Sequence, residues 1–276
     1  MNKTQRNIYR QHGIETDGDK LVTPAGLRMP EPLTHGNTKT GPVWTWSTLP
    51  GNGTFETSFG TVCGTCKCNC PGCYAQTGFY LFKSTRDALA IRTITAETFP
   101  VWIMEAISAQ LEYIEQTSPD PVRVRISAAG DVTDTMAPVW SEIVRRFPGV
   151  VFWTYTKNDN FAHAFDDVDN ANIVSSIVPG VGYNFGPIVH VLRAYVHLVD
   201  NGETPYICRC GIDPEQHCHD CGGCSNHKFV LFIEHSTAYK AEQDPLYKLV
   251  VAVIELQAIL PADDIARYIR AQVAAL

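Results

Sequence analysis

Apolar residues along this chain keep switching between two spacings, and each switch marks an element. Val122-Arg123-Val124-Arg125-Ile126-Ser127 has the two-residue alternation of a strand, and it runs into the turn-like Ala128-Ala129-Gly130-Asp131. Before it, Thr85 to Gln116 carries apolar residues at three- and four-residue spacing. This predicts helix, broken near Pro100 and ended by Pro119 and Pro121. After it, a helix is predicted from Thr135 to Phe147, stopped by Pro148-Gly149. The strand Val150 to Thr156, a short helix near Phe161 to Val168 and the apolar run Ile173 to Val178 follow. Upstream, Val43-Trp44-Thr45-Trp46-Ser47 alternates with both tryptophans on one face. Pro50 to Gly53 reads as a turn, and Thr54 to Thr61 predicts a first core strand that delivers the chain into a cysteine-rich loop.

The ends of the chain are less regular. Residues 1–42 are polar, broken by Gly and Pro and without a clear period, which predicts an extended N-terminal arm. Gly180 to Gly186 has the wrong spacing for a dinucleotide fingerprint and reads as a Gly-rich turn, and Ile188 to Val199 fits strand or helix equally. Phe229 to Ile233 predicts a strand, Pro245 to Leu260 a helix, and the stretch after Pro261 a last helix with Ile265, Tyr268 and Ile269 on one face. Strands that alternate with helices predict an α/β fold with a mostly parallel sheet. The organisation read from this is an arm over 1–42, an α/β core over 43–206, a cysteine-rich insertion over 207–228, and a last core strand with C-terminal helices over 229–276.

Composition narrows the class. Hydrophobic residues at 45% and charged residues at 18% of 276 fit a globular protein, and no stretch reaches the roughly 18 apolar residues of a spanning helix. Met1 to Gly18 lacks the apolar core of a secretory signal, so the expectation is a cytoplasmic protein with no membrane partner. The formal net charge is −7, so a broad phosphate-neutralising surface is not indicated, although a local nucleic-acid groove remains compatible with it.

Ten cysteines change the picture, because they fall in two groups. In a reducing compartment such clusters point to metal ligation. Cys66, Cys70 and Cys73 have the spacing CxxxCxxC, which holds three corners of a 4Fe–4S cluster and leaves one iron open. Cys63, Cys66, Cys70 and Cys73 also read as CxxC followed by CxxC, four ligands for a closed zinc site, and Cys68 is surplus to either set. The later group contains Cys218, Cys221 and Cys224 as CxxCxxC, with Cys208 or Cys210 as a fourth ligand. It suits structural zinc or a second iron–sulfur cluster. In parallel α/β folds ligands sit at the carboxyl ends of strands. Ser127 to Asp131, Thr154 to Lys157, Ser175-Ser176 and the first cysteine loop all lie at such ends, and so do Glu234 and His235, an acid–base or structural pair after the strand at 229–233.

Taken together, Trp44 to Pro50, the loop ending in Cys73-Tyr74-Ala75, Ile126 to Asp131, Tyr155-Thr156-Lys157-Asn158 and Cys218xxCys221xxCys224 resemble the bacteriophage gene product 88 family. Its cysteine loop and strand order are in turn similar to radical S-adenosylmethionine (SAM) enzymes. That resemblance implies a partial (β/α)6-type barrel, with Cys66, Cys70 and Cys73 on the cluster and SAM chelated at the open iron. Ser127, Gly130 and Asp131 would hold SAM's methionine or ribose, with Thr156, Lys157 and Ser176 at the same cofactor. It also implies an auxiliary cluster at the later cysteines, an electron donor such as flavodoxin or ferredoxin, and a substrate that the residues do not name. The competing expectation is a non-catalytic module, stabilised by zinc or iron–sulfur, that binds nucleic acid or a host protein.

Overall fold

The computed structural model describes residues 1–36, 41–51, 53–66, 78–165, 167–178, 182–183, 185–186, 188–209, 223–233 and 244–274. The chain divides into two compact units, Met1–Gly36 with Pro42–Ile173, and Asn37–Gly41 with Val174–Leu276.

In the first unit the lead-in is folded and not an extended arm. Helix α1 (Lys3–Gln11) is capped by Asn2, whose side-chain oxygen accepts the Gln5 N–H at 2.9 Å. Strands β1 (Glu15–Asp17), β2 (Lys20–Val22) and β3 (Arg28–Met29) then form a small antiparallel sheet. Ile8, Tyr9, Ile14, Leu21, Met29 and Leu33 enter the main core. They are too widely spaced to give a sequence period, yet each is buried by the elements that follow.

Strand β4 (Thr34–His35) forms an antiparallel edge against β5 (Trp44–Thr45). The first parallel core strand is therefore β5. The alternation at Thr54 to Thr61 belongs to a separate antiparallel hairpin, β6 (Thr54–Thr57) and β7 (Gly60–Cys63), in register Thr54↔Cys63 to Thr57↔Gly60. Its residues are mostly exposed or half-buried, because Ser58-Phe59 turns the chain back before it can join a sheet. Helices α2 (Lys83–Thr98) and α3 (Pro100–Thr117) meet at Pro100, which lacks an N–H and so begins α3 in its first turn. The order then runs β8 (Arg123–Arg125), α4 (Met136–Arg146), β9 (Val151–Thr156), α5 (Asp159–His163) and β10 (Ala171–Ser175).

The sheet has the order β10-β9-β8-β5-β4, with β5, β8 and β9 parallel. Its helix-facing side carries Trp46, Val124, Ile126 and Phe152, which pack against Ile103, Ile107, Trp140 and Ile143 of α3 and α4. Trp140 lies edge-on to both Trp46 and Phe152, with centroids 6.1 and 6.4 Å away.

The second unit begins with a short hairpin, β11 (Ile177–Val178) against β12 (Gly182–Tyr183). Next come β13 (Phe185–Gly186), α6 (Ile188–Asp200), β14 (Pro205–Ile207), α7 (Gly223–Asn226), β15 (Phe229–Ile233), α8 (Pro245–Leu256) and α9 (Ala262–Val273). The ambiguous stretch at 188–199 is thus helical. β15 lies between β13 and β14, parallel to both. α6, α8 and α9 bury Leu192, Tyr195, Val250, Val253, Ile265 and Ile269 with Leu231 and Ile233. Among the described residues no helix is long and apolar enough to cross a membrane.

Candidate functional site

The candidate site lies where β5, β8 and β9 end. Pairing between the first two continues past their formal ends. Trp46 donates to Arg125 O at 3.1 Å, Ala128 to Trp46 O at 2.8 Å and Thr48 to Ala129 O at 3.0 Å. Between these bonds sits Ser127, a non-glycine residue in the left-handed region at φ 56. That conformation costs on the order of 1–2 kcal/mol and is found where surrounding structure enforces it. Ser127 is 5% exposed, and its hydroxyl has no hydrogen-bond partner among the described residues. Gly130 follows at φ 78, and a Cβ there would lie 2.1 Å from Thr48 Oγ1 and 2.6 Å from Thr65 Oγ1. Only glycine permits this approach.

Two left-handed residues in four turn the chain so that Asp131 reaches β9. Its Oδ1 accepts from Val132 N–H at 2.8 Å and from Thr156 Oγ1 at 2.6 Å, and its Oδ2 accepts from Lys157 N–H at 3.0 Å. A buried carboxylate has about four acceptor positions, so most of its capacity is already used to clamp one strand end to the next. Thr156 Oγ1 also accepts the Asn158 N–H at 3.0 Å. The fully buried Asn158 then donates to Val132 O at 3.0 Å and to Asp134 Oδ1 at 2.9 Å, while its Oδ1 caps α5.

The first cysteine group is joined to the same strand ends through Thr65. The Thr65 hydroxyl donates to Leu49 O at 3.0 Å, accepts the Asp131 N–H at 2.9 Å and lies 2.8 Å from Thr48 Oγ1. The next residue, Cys66, is half-buried and hydrogen-bonds Gly51 twice. Its N–H donates to Gly51 O at 2.9 Å, and its Sγ accepts the Gly51 N–H at 3.2 Å. A backbone donor aimed at sulfur favours the thiolate, the form that ligates metal. Cys63, by contrast, is the exposed last residue of β7. The donor chemistry at Cys66 therefore fits a metal–sulfur ligand. Cys68, Cys70 and Cys73 lie outside the described residues, and no group of three metal-ligating side chains occurs among those described.

The other expected positions belong to the second unit. Ser176 is buried. Cys208, just after β14, is 4% exposed and donates its N–H to Leu231 O at 2.8 Å. Cys224, in α7, is 8% exposed. Next to Cys224, Gly223 packs on the Tyr206 ring, where a Cβ would come within 2.3 Å, and Tyr206 stacks on His227 at 4.7 Å. Burial pushes the His227 imidazole below its ordinary pKa. Cys210, Cys218, Cys221, Glu234 and His235 lie outside the described residues.

Thus Gly130 and Asp131 meet Thr65, the residue before Cys66, and Asp131 in turn holds Thr156 and the Lys157 backbone. Sequence reasoning missed Thr48, Thr65, Asp134 and Asn158. A threonine directly before the first ligand of CxxxCxxC was the available signal for one of them.

Neither a search of curated proteins nor one of solved structures finds a match to this chain. The family model for gene product 88 does match it, over residues 28–179, a span that starts in β3 and runs through the five-stranded sheet, Cys66 and the Asp131–Thr156 clamp. The chain belongs to the gene product 88 family.

Proposed function

We propose that this member of the gene product 88 family is a radical-SAM-like iron–sulfur enzyme that works in the cytoplasm of a bacterial host. The observation that carries the reading is the position of Cys66. The first cysteine of the CxxxCxxC loop is fixed beside the carboxyl ends of two parallel strands, through Thr65 to Asp131 and through its own bonds to Gly51. Such strand ends are where parallel α/β folds gather reactive groups. The reading includes a partial (β/α)6-type barrel, with Cys66, Cys70 and Cys73 as cluster ligands and Cys208, Cys218, Cys221 and Cys224 as a second iron–sulfur or zinc site. When bound, a reduced 4Fe–4S cluster supplies one electron, received from a flavodoxin or ferredoxin, that splits the SAM sulfonium into methionine and a 5′-deoxyadenosyl radical.

The chain's own residues orient and shield. Gly130 gives a close backbone approach, and the Asp131–Thr156–Asn158 network fixes the strand ends that SAM would meet. Ser127 offers a buried hydroxyl. Lys157 and Ser176 complete the proposed cofactor contacts, and Glu234 with His235 is the proposed acid–base pair.

The test is iron and sulfide analysis of anaerobically prepared protein, with EPR of the reduced form before and after SAM is added. The expected result is iron with a SAM-dependent spectrum, and loss of SAM cleavage in Cys70→Ala. Zinc in place of iron, or a cluster indifferent to SAM, would replace this reading with a metal-stabilised binding module for nucleic acid or a host protein.

A further inference from the structure

α2 cannot run on through Pro100, which has no N–H and whose ring crowds the preceding turn. Phe99 therefore closes α2 and opens α3, at φ −132 and ψ 60, and the helical path breaks there. α1 ends at His12, and Gly13, left-handed at φ 71, turns the chain so that Ile14 is buried at the same junction. Between these ends lies an open groove of about 500 Å³, within the roughly 300–1,000 Å³ of small-molecule sites. Ile14, Phe99, Val101 and Trp102 supply its apolar walls, and His12 and Glu105 its polar part. Val101 is 68% exposed and Trp102 is half-buried, so the core does not use up this apolar surface.

The polar part is held in place by its own bonds. His12 Nδ1 lies 2.8 Å from Glu105 Oε2 and its Nε2 lies 3.0 Å from Glu112 Oε2, while Arg146 of α4 donates to Glu105 Oε1 at 3.1 Å. Both ring nitrogens of His12 are engaged, whereas a carboxylate has about four acceptor positions and Glu105 keeps one open. Burial by itself would raise the Glu105 carboxyl, but the bonds from His12 and Arg146 outweigh it and hold the group below its ordinary value, so it is ionised at neutral pH. Glu142 lies 3.9 Å from Arg146 as well. Glu105, Glu112 and Glu142 thus meet one guanidinium and one imidazole, and the cluster stays negative whether or not His12 carries a proton. α3 itself adds no Lys or Arg.

An apolar groove with one charged acceptor suits a cation on an apolar body. An anion would meet the Glu105 charge, and a neutral ligand would gain nothing from it. Aromatic walls favour the same choice, because the face of an indole or phenyl ring attracts an ammonium group. We infer that the groove between the end of α1 and the α2–α3 junction binds an organic ammonium, a protonated amine on an apolar body about the size of one aromatic ring, with the charge at Glu105 and the body against Phe99, Val101 and Trp102. The groove shares no residue with the cysteine loop or the Asp131 clamp, so the inference stands apart from the function proposed above.

Calorimetric titration of the full-length protein with phenethylamine at neutral pH, where the amine is protonated, tests it, with phenethyl alcohol and phenylpropionate as neutral and anionic controls. Saturable binding of the amine is expected, roughly tenfold or more tighter than that of the alcohol, with no saturation by the carboxylate. Val101→Lys, at a 68% exposed position, places a like charge in the groove, and Glu105→Gln keeps the shape and removes the charge. Each should weaken the amine roughly tenfold. No saturation by the amine, equal affinity for the alcohol, or an unchanged affinity in Val101→Lys overturns the inference, and Val101→Lys decides it if Glu105→Gln does not fold. Tighter binding of acetyl-Phe-Lys-amide than of phenethylamine would overturn the small-molecule ligand in favour of a lysine side chain on a partner protein.

Discussion

At the scale of single residues, position 130 is set by contact distance. A methyl group there would press on two threonine hydroxyls at 2.1 and 2.6 Å, in a backbone conformation that L residues avoid. Gly130→Ala should therefore cost about 2–4 kcal/mol, read as a fall in denaturant midpoint with unchanged slope. A cost below about 0.5 kcal/mol would show that the strand ends are loose. Asp87 gives a second expectation. The Lys83 ammonium, with the Ser58 hydroxyl and N–H, holds its carboxyl down to about 2. A depressed carboxylate contributes stability above its unfolded value near 4 and loses it as pH falls toward the folded value. The link between the β6–β7 turn and α2 should thus persist to about pH 2, and an NMR titration of Asp87 that centred near 4 would contradict it. Ser127, Gly130, Asp131 and Thr156 were legible because a strand alternation followed by a turn points to a strand end. Thr65 and Thr48 were not, because a threonine hydroxyl has no pattern until its acceptors arrive from elsewhere in the chain.

At the scale of elements, two glutamines close backbone groups at strand edges that no strand among the described residues pairs with. Gln110 of α3 accepts the Leu33 N–H at 2.7 Å and donates to Leu33 O at 2.8 Å. Gln257, after α8, accepts the N–H of Ile207 in β14 at 2.6 Å. Each amide stands in for a neighbouring strand. Since Gln110 is 1% exposed, Gln110→Leu should strand both Leu33 groups and cost about 2–4 kcal/mol, measured by urea unfolding. A near-neutral result would mean that Leu33 finds other partners. The helices were readable from period and proline placement, and the break at Pro100 is one such case. The hairpin at 54–63 misled because its strands alternate just as core strands do. Period two reports a pleated strand and says nothing about which sheet it joins, and here the Ser58-Phe59 turn decided.

At the scale of the whole molecule, two large apolar clusters among the described residues fall one in each unit, besides a smaller one around Leu49, Val62, Leu89 and Ala90. One draws on residues from Ile8 to Phe165, the other on residues from Ile188 to Ile269, and they share no residue. Cooperative unfolding follows a shared core. Scanning calorimetry should therefore give a calorimetric enthalpy larger than the van't Hoff value, and a ratio of one would show that both cores melt as a single unit.

What the sequence determined by itself was local. Hydrophobic period, proline and glycine placed α2, α3, α4, β8 and β9, and cysteine spacing singled out the loop after residue 63, because these signals lie within one turn or one strand of each other. Tertiary structure alone decided that residues 1–36 fold into the core, that β5 and not β6 starts the parallel sheet, and that Thr65 links Cys66 to Asp131. Each of those outcomes depends on groups far apart in the chain, whose burial and hydrogen bonding are settled only when they meet.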